Sequence, residues 1–367
     1  MLIINGTVHT MEGLTIPGGY VEIRGNKIAG FGPMEECPKQ WEGEVFDAQG
    51  GHIQPGFVDA HCHLGMFGDA VGVEGDDGNE ATDPCTPHLR AVDAINPMDR
   101  CFQEAREAGV TTVLTGPGSA NPISGQFAAI KTNGRWVDAM VLQAPAAMKL
   151  ALGENPKLTY HERRETPTTR MATAAVIREN LAKAEEYREK LERALEDEEE
   201  EKPEYDAKLE ALLPVLRGEL PVHIHAHRAD DIVTGIRICK EFHLRYVIVH
   251  GTEGHLIPDL LAEEGAGVIT GPCLGTAPSR SWPTSLWRPP PSSSATASKR
   301  PSAPTIRRPP SSTSPCVPLW PSGVGWTRRA RWPASPSGPR SWPGWPTGWG
   351  PWPRGRTRTS PSPAATP

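Results

Sequence analysis

Short apolar runs cut by turn residues open the chain. Leu2-Ile3-Ile4 stops at Asn5-Gly6, and Tyr20-Val21-Glu22-Ile23 alternates apolar and polar positions before Gly25-Asn26. The run from Lys27 to Pro33 follows at once, so the two flank a turn pair in the manner of a hairpin. Residues 1–54 are predicted to build a small sheet ahead of a larger domain.

Beyond Gln54 the period changes. Apolar runs recur at 56–60, 110–115, 146–152, 222–227, 246–250 and 267–271. Between several of them apolar positions step by three and four, over 99–108 and 232–242, which marks helices with one buried face. Strands alternating with helices over 55–275 predict a parallel sheet with helical crossovers, as a (β/α)8 barrel or a doubly wound sheet. No Gly-x-Gly-x-x-Gly follows a strand to favour the second. Gly116-Pro117-Gly118-Ser119 and Ser124-Gly125-Gln126 read as loop after the second strand, lining the mouth of a site. The longest helical stretch, 168–218, places Ile177, Leu181, Ala184, Tyr187, Leu191 and Leu195 on one stripe. It enters an acidic run from Glu196 to Glu201 and breaks at Pro203. Like charges in such a run repel and stay hydrated, so it reads as a solvated face rather than a cation site.

Composition then divides the chain. All 44 Asp and Glu precede Thr276, whereas 13 of the 38 Lys and Arg follow it. The first 275 residues set 25 basic against 44 acidic groups, a formal charge of −19, and the last 92 carry +13. That last part also holds 9 of the 11 tryptophans and no Tyr, Phe, Asn, Gln or Met. No run of eighteen apolar residues is present to span a membrane. Met-Leu-Ile-Ile-Asn-Gly has no basic segment leading into an apolar one, so no signal peptide is expected. Seven cysteines without Cys-x-x-Cys spacing suit reduced thiols. The expected compartment is the cytoplasm.

Candidate chemistry concentrates on three runs. In Pro55-Gly56-Phe57-Val58-Asp59-Ala60-His61-Cys62-His63 the histidines stand at i and i+2, so a strand turns both to one face and Cys62 to the other. Neutral imidazoles presented together are ligands for zinc and its neighbours. Pro221-Val222-His223-Ile224-His225-Ala226-His227 supplies three more on one face, and Tyr246-Val247-Ile248-Val249-His250 ends a strand on a fourth. Lys149 lies inside the otherwise apolar run 146–152, where a buried amine is costly unless paired or modified.

With Pro-Gly-Phe-Val-Asp-Ala ahead of it, His61-Cys62-His63 resembles the first barrel strand of the amidohydrolase superfamily. His225-Ala226-His227 and His250-Gly251-Thr252-Glu253 are similar to its imidazolonepropionase-like branch. The resemblance covers residues 1–275. It implies an α/β fold, a (β/α)8 barrel over 55–275 with residues 1–54 as the N-terminal part of a small β-sandwich, truncated before the last barrel strands. It further implies a divalent metal, zinc foremost, as one or two ions held by His61, His63, His225 and His250. Lys149, carbamylated, would bridge two ions, His227 would face the substrate, and the deeper His223 would be structural. The implied reaction is attack of a metal-activated water on a C–N bond in a cyclic amide, amidine or dipeptide. A ring deaminase of the same superfamily is the alternative. The implied partner is a small-molecule substrate, with a homo-oligomer left open and no membrane contact. In this family an aspartate ending the eighth strand carries the proton. No acidic residue follows Glu264 here, so activity is expected to be weak or absent.

A slip of one base near Gly275 accounts for both the missing aspartate and the change of composition. Each original codon would keep its last two bases as the first two of the present one. On that rule 301–307 permits Ile-Cys-Thr-Asp-His-Pro, similar to the eighth-strand motif. Likewise 353–359 permits Pro-Gly-Lys-Asp-Ala-Asp-Ile, similar to the family's return strand in the small sheet. Residues 276–367 are accordingly expected to be a disordered, frame-shifted tail. The rival class is nucleic-acid binding, through basic residues on phosphates and tryptophans stacked on bases. Out-of-frame reading of GC-rich DNA accounts for the composition without such a partner, and none is expected. The nucleotide sequence across codon 275 checks this reading: one restored base should return Thr-Asp-His-Pro and Pro-Gly-Lys-Asp-Ala-Asp. A clean, authentic present frame would remove it.

Overall fold

The computed structural model describes residues 1–68 and 72–271. The readings of 276–367, the disordered tail and its basic tryptophans among them, lie outside the described residues. Strands β1 (Leu2–His9), β2 (Thr15–Arg24) and β3 (Lys27–Pro33) pair antiparallel in the order β3-β2-β1, with the expected hairpin turning between Arg24 and Lys27. Strands β4 (Val45–Asp47) and β5 (His52–Ile53) join β1 in parallel. Val8, Val21, Ile23 and Ile53 form the core of this sheet. Asn5-Gly6 does not end the first strand, contrary to expectation. The ladder shifts register on both sides of Gly6, and Asn5 takes a left-handed φ of 57°, so the pair is a bulge within β1. A Cβ at Gly6 would stand 2.4 Å from Ile53 Cδ1, so any larger residue there would force the Ile53 side chain to shift.

A second sheet follows. Its elements are β6 (Phe57–Cys62), α1 (Arg100–Glu107), β7 (Val110–Thr115), β8 (Ile123–Lys131), α2 (Val137–Met140) and β9 (Val141–Ala151). Then come α3 (Glu154–Arg163), α4 (Arg170–Glu196), α5 (Ala207–Leu216), β10 (Val222–Ala226), α6 (Ala229–Glu241), β11 (Tyr246–His250), α7 (Pro258–Glu263) and β12 (Gly267–Thr270). The described strands lie in the order β12-β11-β10-β9-β8-β7-β6. All neighbours are parallel except β8, which is antiparallel to both β7 and β9. Two expectations are corrected here: Ser124-Gly125-Gln126 is strand rather than loop, and the sheet is not wholly parallel. An antiparallel neighbour needs no crossover helix, and three small or polar residues hide the strand's apolar period.

Curvature is visible in side-chain distances. The ring of His61 on β6 lies 5.8 Å from that of His250 on β11. Five strand steps across a flat sheet would separate them by roughly 24 Å. The sheet therefore curls on itself into a barrel-like α/β fold.

Alternation along β10 shows how the two faces divide. Val222, Ile224 and Ala226 join Met148, Leu150, Ile177, Leu181, Ile232 and Ile236 in a core between the strands and the helices α4 and α6. His223 and His225 take the opposite, inner face, so β10 is buried on both sides as a central parallel strand should be. Ile177, Leu181, Ala184 and Tyr187 on α4 are buried as expected, but Leu195 is exposed. The helix stops at Glu196, before Pro203, because successive acids repel one another and oppose the negative helix end. Asp206 then caps α5 by accepting from the Lys208 and Leu209 amides. Ile224 is wholly buried against the helix layer, so Ile224→Ala should cost about 2–5 kcal/mol. Urea unfolding measures it, and a loss under ~1 kcal/mol would mean this layer is loosely packed.

Candidate metal centre

Strand ends bring the predicted histidines together. His61 lies near the end of β6 and His63 just past it, His225 near the end of β10 and His227 just past it, and His250 closes β11. Active sites of α/β barrels sit at this end of the strands. His61 stands 5.3 Å from His63 and 5.8 Å from His250, ring to ring, and His225 and His227 each lie within 5 Å of His250. The donor nitrogens of His225, His227 and His250 all fall within 4.8 Å of one another. His227, read from sequence as a substrate-facing group, is thus also a full member of the imidazole cluster.

His250 reaches the interior against the alternation of its own strand. Ile248, two residues earlier, faces the helix layer, and His250 would follow it outward. A left-handed φ of 71° at His250 turns the ring inward instead. Such a backbone costs a β-carbon residue about 1–3 kcal/mol and persists only where neighbours enforce it. Here Gly251, also left-handed at φ 53°, donates its amide to the Ala226 carbonyl at 3.0 Å.

Lys149 is fully buried on the inner face of β9, between Ala147 and Ala151, whose small side chains leave it room. Its Nζ is 3.1 Å from His61 Nε2 and 5.5 Å from the centre of the Phe127 ring. Burial pushes its amine down to about 7, so a neutral amine is present near neutral pH.

Burial likewise holds every imidazole of the cluster in the neutral form. His63 and His227 fall to about 4 and His223 and His250 to about 3, with nearby Lys149 adding to the effect. His61 and His225 are driven well below the usual range by burial first, then by Lys149 and His250 respectively among their neighbours. His63 Nδ1 donates to the Gly116 carbonyl at 2.6 Å, and His250 Nδ1 to the Gly271 carbonyl at 2.6 Å. A carbonyl can only accept, so in both neutral rings Nε2 carries the free lone pair. Nδ1 of His61 and both nitrogens of His225 are buried with no hydrogen-bond partner. Buried polar atoms without partners cost about 1–3 kcal/mol each. Neutral imidazoles with unused lone pairs suit a divalent ion of the zinc class.

Sequence reasoning undervalued three groups. His223 is fully buried as expected, yet neither ring nitrogen is hydrogen-bonded, and its ring lies 5.7 Å from that of His61. The His223 ring thus packs beside the cluster. Phe127 stacks on His61 at 5.0 Å and went unread because Ser124-Gly125-Gln126, just before it, was read as loop. Gly116 contributes a carbonyl, for which the Gly-Pro-Gly-Ser loop was the only sequence signal. Cys62 points away into a core with Met66, Cys101 and Phe102, as its alternation requires.

A curled α/β sheet thus gathers neutral imidazoles and a buried lysine near the ends of its strands, a donor set suited to a divalent metal. The comparisons sharpen this. No family model matches the chain. An amidohydrolase of known structure from Thermotoga maritima is 44% identical, with a TM-score of 0.70 over 74% of this chain and 70% of that one. Amidohydrolase tasK from Hapsidospora irregularis is 32% identical over 255 residues, 64% of this chain and 26% of the relative. Imidazolonepropionase from Myxococcus xanthus is 46% identical over 56 residues, 14% of this chain and 13% of the relative. The chain belongs to the amidohydrolase superfamily. It spans about a quarter or less of the length of the curated relatives it matches.

The depressed imidazoles carry a pH signature. Unfolded, His223 takes a proton near 6.5, but folded only near 3. Between those values the unfolded chain binds more protons, so stability falls as pH falls through that window and is fully present above it. Metal-stripped protein should lose melting temperature from pH 6.5 downward, and His223→Gln should lose less over the same range. Parallel curves for the two would show that His223 is not buried as a neutral ring.

Proposed function

We propose that the described residues form the metal-binding half of a hydrolase acting on a C–N bond. Convergence of His61, His63, His225 and His250 from three strands on one cluster, with unused lone pairs, carries this reading. When bound, a divalent ion supplies Lewis acidity and an activated water. His61, His63, His225 and His250 would hold it. The neutral Lys149 amine touches His61 and suits the carbamate that would bridge a second ion, so two ions follow if it is modified and one if it is not. His227, next to His225 and His250, would contact substrate or complete the ligand set. Zinc is the expected metal, and a cyclic amide, an amidine or a dipeptide the expected substrate class. Ring deamination remains the alternative outcome of a substrate panel.

The proposal also includes weak turnover. No Asp or Glu follows Glu264 to take and return the proton, and general acid–base help is worth roughly 10²–10⁴ in rate. A barrel truncated before its last strands, a small β-sandwich, the frame-shifted origin of 276–367 and a cytoplasmic location belong to the same proposal. Metal analysis tests its centre. Purified protein should hold zinc or a similar ion, and the double variant His61→Ala/His63→Ala should hold none. Equal metal content in the two would remove the assignment.

A further inference from the structure

Backbone carbonyls orient His63 and His250, through Gly116 and Gly271 respectively. His61 has no such oxygen. Its Nδ1 is buried without a hydrogen-bond partner among the described residues, and its Nε2 meets the Lys149 amine at 3.1 Å. The plane of the ring is set instead by Phe127, stacked on it at 5.0 Å between centroids and 24° between planes. Phe127 stands opposite Ala147 on β9 and is fully buried, with Ala129, Ala146 and Ala147 leaving room for its ring. Its other neighbours belong to the cluster too, the His223 ring at 5.6 Å and Lys149 Nζ at 5.5 Å. Gly116 lies against the same ring. A Cβ there would stand 2.4 Å from Phe127 Cδ2 and Cγ, so the bare backbone packs on the aromatic side chain. The ring that stacks on His61 therefore also seats the residue whose carbonyl accepts from His63.

We propose that Phe127 is a positioning residue for the two histidines of the first barrel strand, holding His61 by stacking and His63 through Gly116. Stacked aromatic rings are directional, because the negative face of one ring avoids the face of another and offset arrangements are preferred. A leucine or methionine fills most of the same volume but offers no flat face. With either in place His61 is free to tip about its side-chain torsions, and the Gly116 carbonyl loses its seat. Groups that orient metal-bound imidazoles typically contribute about 10–100-fold to metal affinity. A phenylalanine that merely filled the core would show a different pattern: its loss would lower stability and leave the histidine geometry as it was.

The inference rests on the metal reading above, and one experiment separates the two. Cobalt(II) is titrated into the full, metal-stripped chain and followed by its visible d–d bands and by competition with a chelator. Phe127→Leu and Phe127→Met should bind about 10–100-fold more weakly than the parent, with altered bands that report a changed donor geometry. Gly116→Ala, which forces a methyl against the same ring, should weaken binding as well. Ile177→Ala removes packing from the helix layer and should bind cobalt as the parent does. Far-ultraviolet circular dichroism checks that each variant is folded. Parent-like affinity and bands in both Phe127 variants, while His61→Ala loses binding, would overturn the inference and leave the metal reading intact. An equal loss in Ile177→Ala would overturn it too, since any lost packing would then weaken the site. If neither Phe127 variant folds, Gly116→Ala decides, and parent-like binding there counts against the inference. No cobalt uptake by the parent would sink both.

Discussion

The interior of this protein is governed by the need of buried imidazole nitrogens for partners. Six histidines crowd a largely buried region, where a charged ring is penalised and an unpaired nitrogen costs about 1–3 kcal/mol. Backbone carbonyls of Gly116 and Gly271 and the hydroxyl of Thr252 satisfy one nitrogen on each of three rings. Lys149 Nζ meets His61 Nε2 at 3.1 Å, while His61 Nδ1 and both nitrogens of His223 and His225 have no hydrogen-bond partner among the described residues. A chain that buries so many lone pairs without hydrogen-bond donors is less stable than one with aliphatic residues in their place. The arrangement suits a set of donors held ready for a metal.

Holding them ready dictates much of the fold. Imidazoles on β6 and β11 can meet only because the sheet curls, and it curls with the helices outside and small residues such as Ala147 and Ala151 inside. Phe127, delivered by the antiparallel β8, walls one side of His61. The strained backbone at His250 belongs to the same device. Alternation alone would have sent that ring to the helices, and hydrogen bonds from the 251–254 turn to the end of β10 keep it inside. Local conformational cost is thus offset by the hydrogen bonds of neighbouring strand ends.

These features were unevenly legible in the sequence. His61-Cys62-His63 and the run from His223 to His227 could be read because a strand's period of two fixes which side chains share a face. Amphipathic stripes located α4 and α6 for the same reason at a period near four. What escaped was whatever breaks a period. Asn5-Gly6 looked like a turn and is a bulge, because a single left-handed residue serves either. Ser124-Gly125-Gln126 looked like loop and is the centre of β8, where partners on both sides replace intrinsic preference. His223 was assigned to structure because sequence shows that a ring is deep, not whether its nitrogens are paired. The inward turn of His250 depends on one φ value, which no pattern of residue types records.

The same burial that readies these rings as ligands disqualifies them as bases. A general base works best with a pKa near the working pH, and the imidazoles here lie at about 3 or 4 or well below the usual range. Within the described cluster only the Lys149 amine, at about 7, is matched to neutral pH. Its two uses exclude each other, since a carbamylated lysine is an anionic ligand and no longer an amine that can take a proton. As an amine, Lys149 touches His61 and can accept a proton near neutral pH. An amine that can take a proton, or a carbamate that can serve as an anionic ligand, are the alternatives that this buried lysine permits.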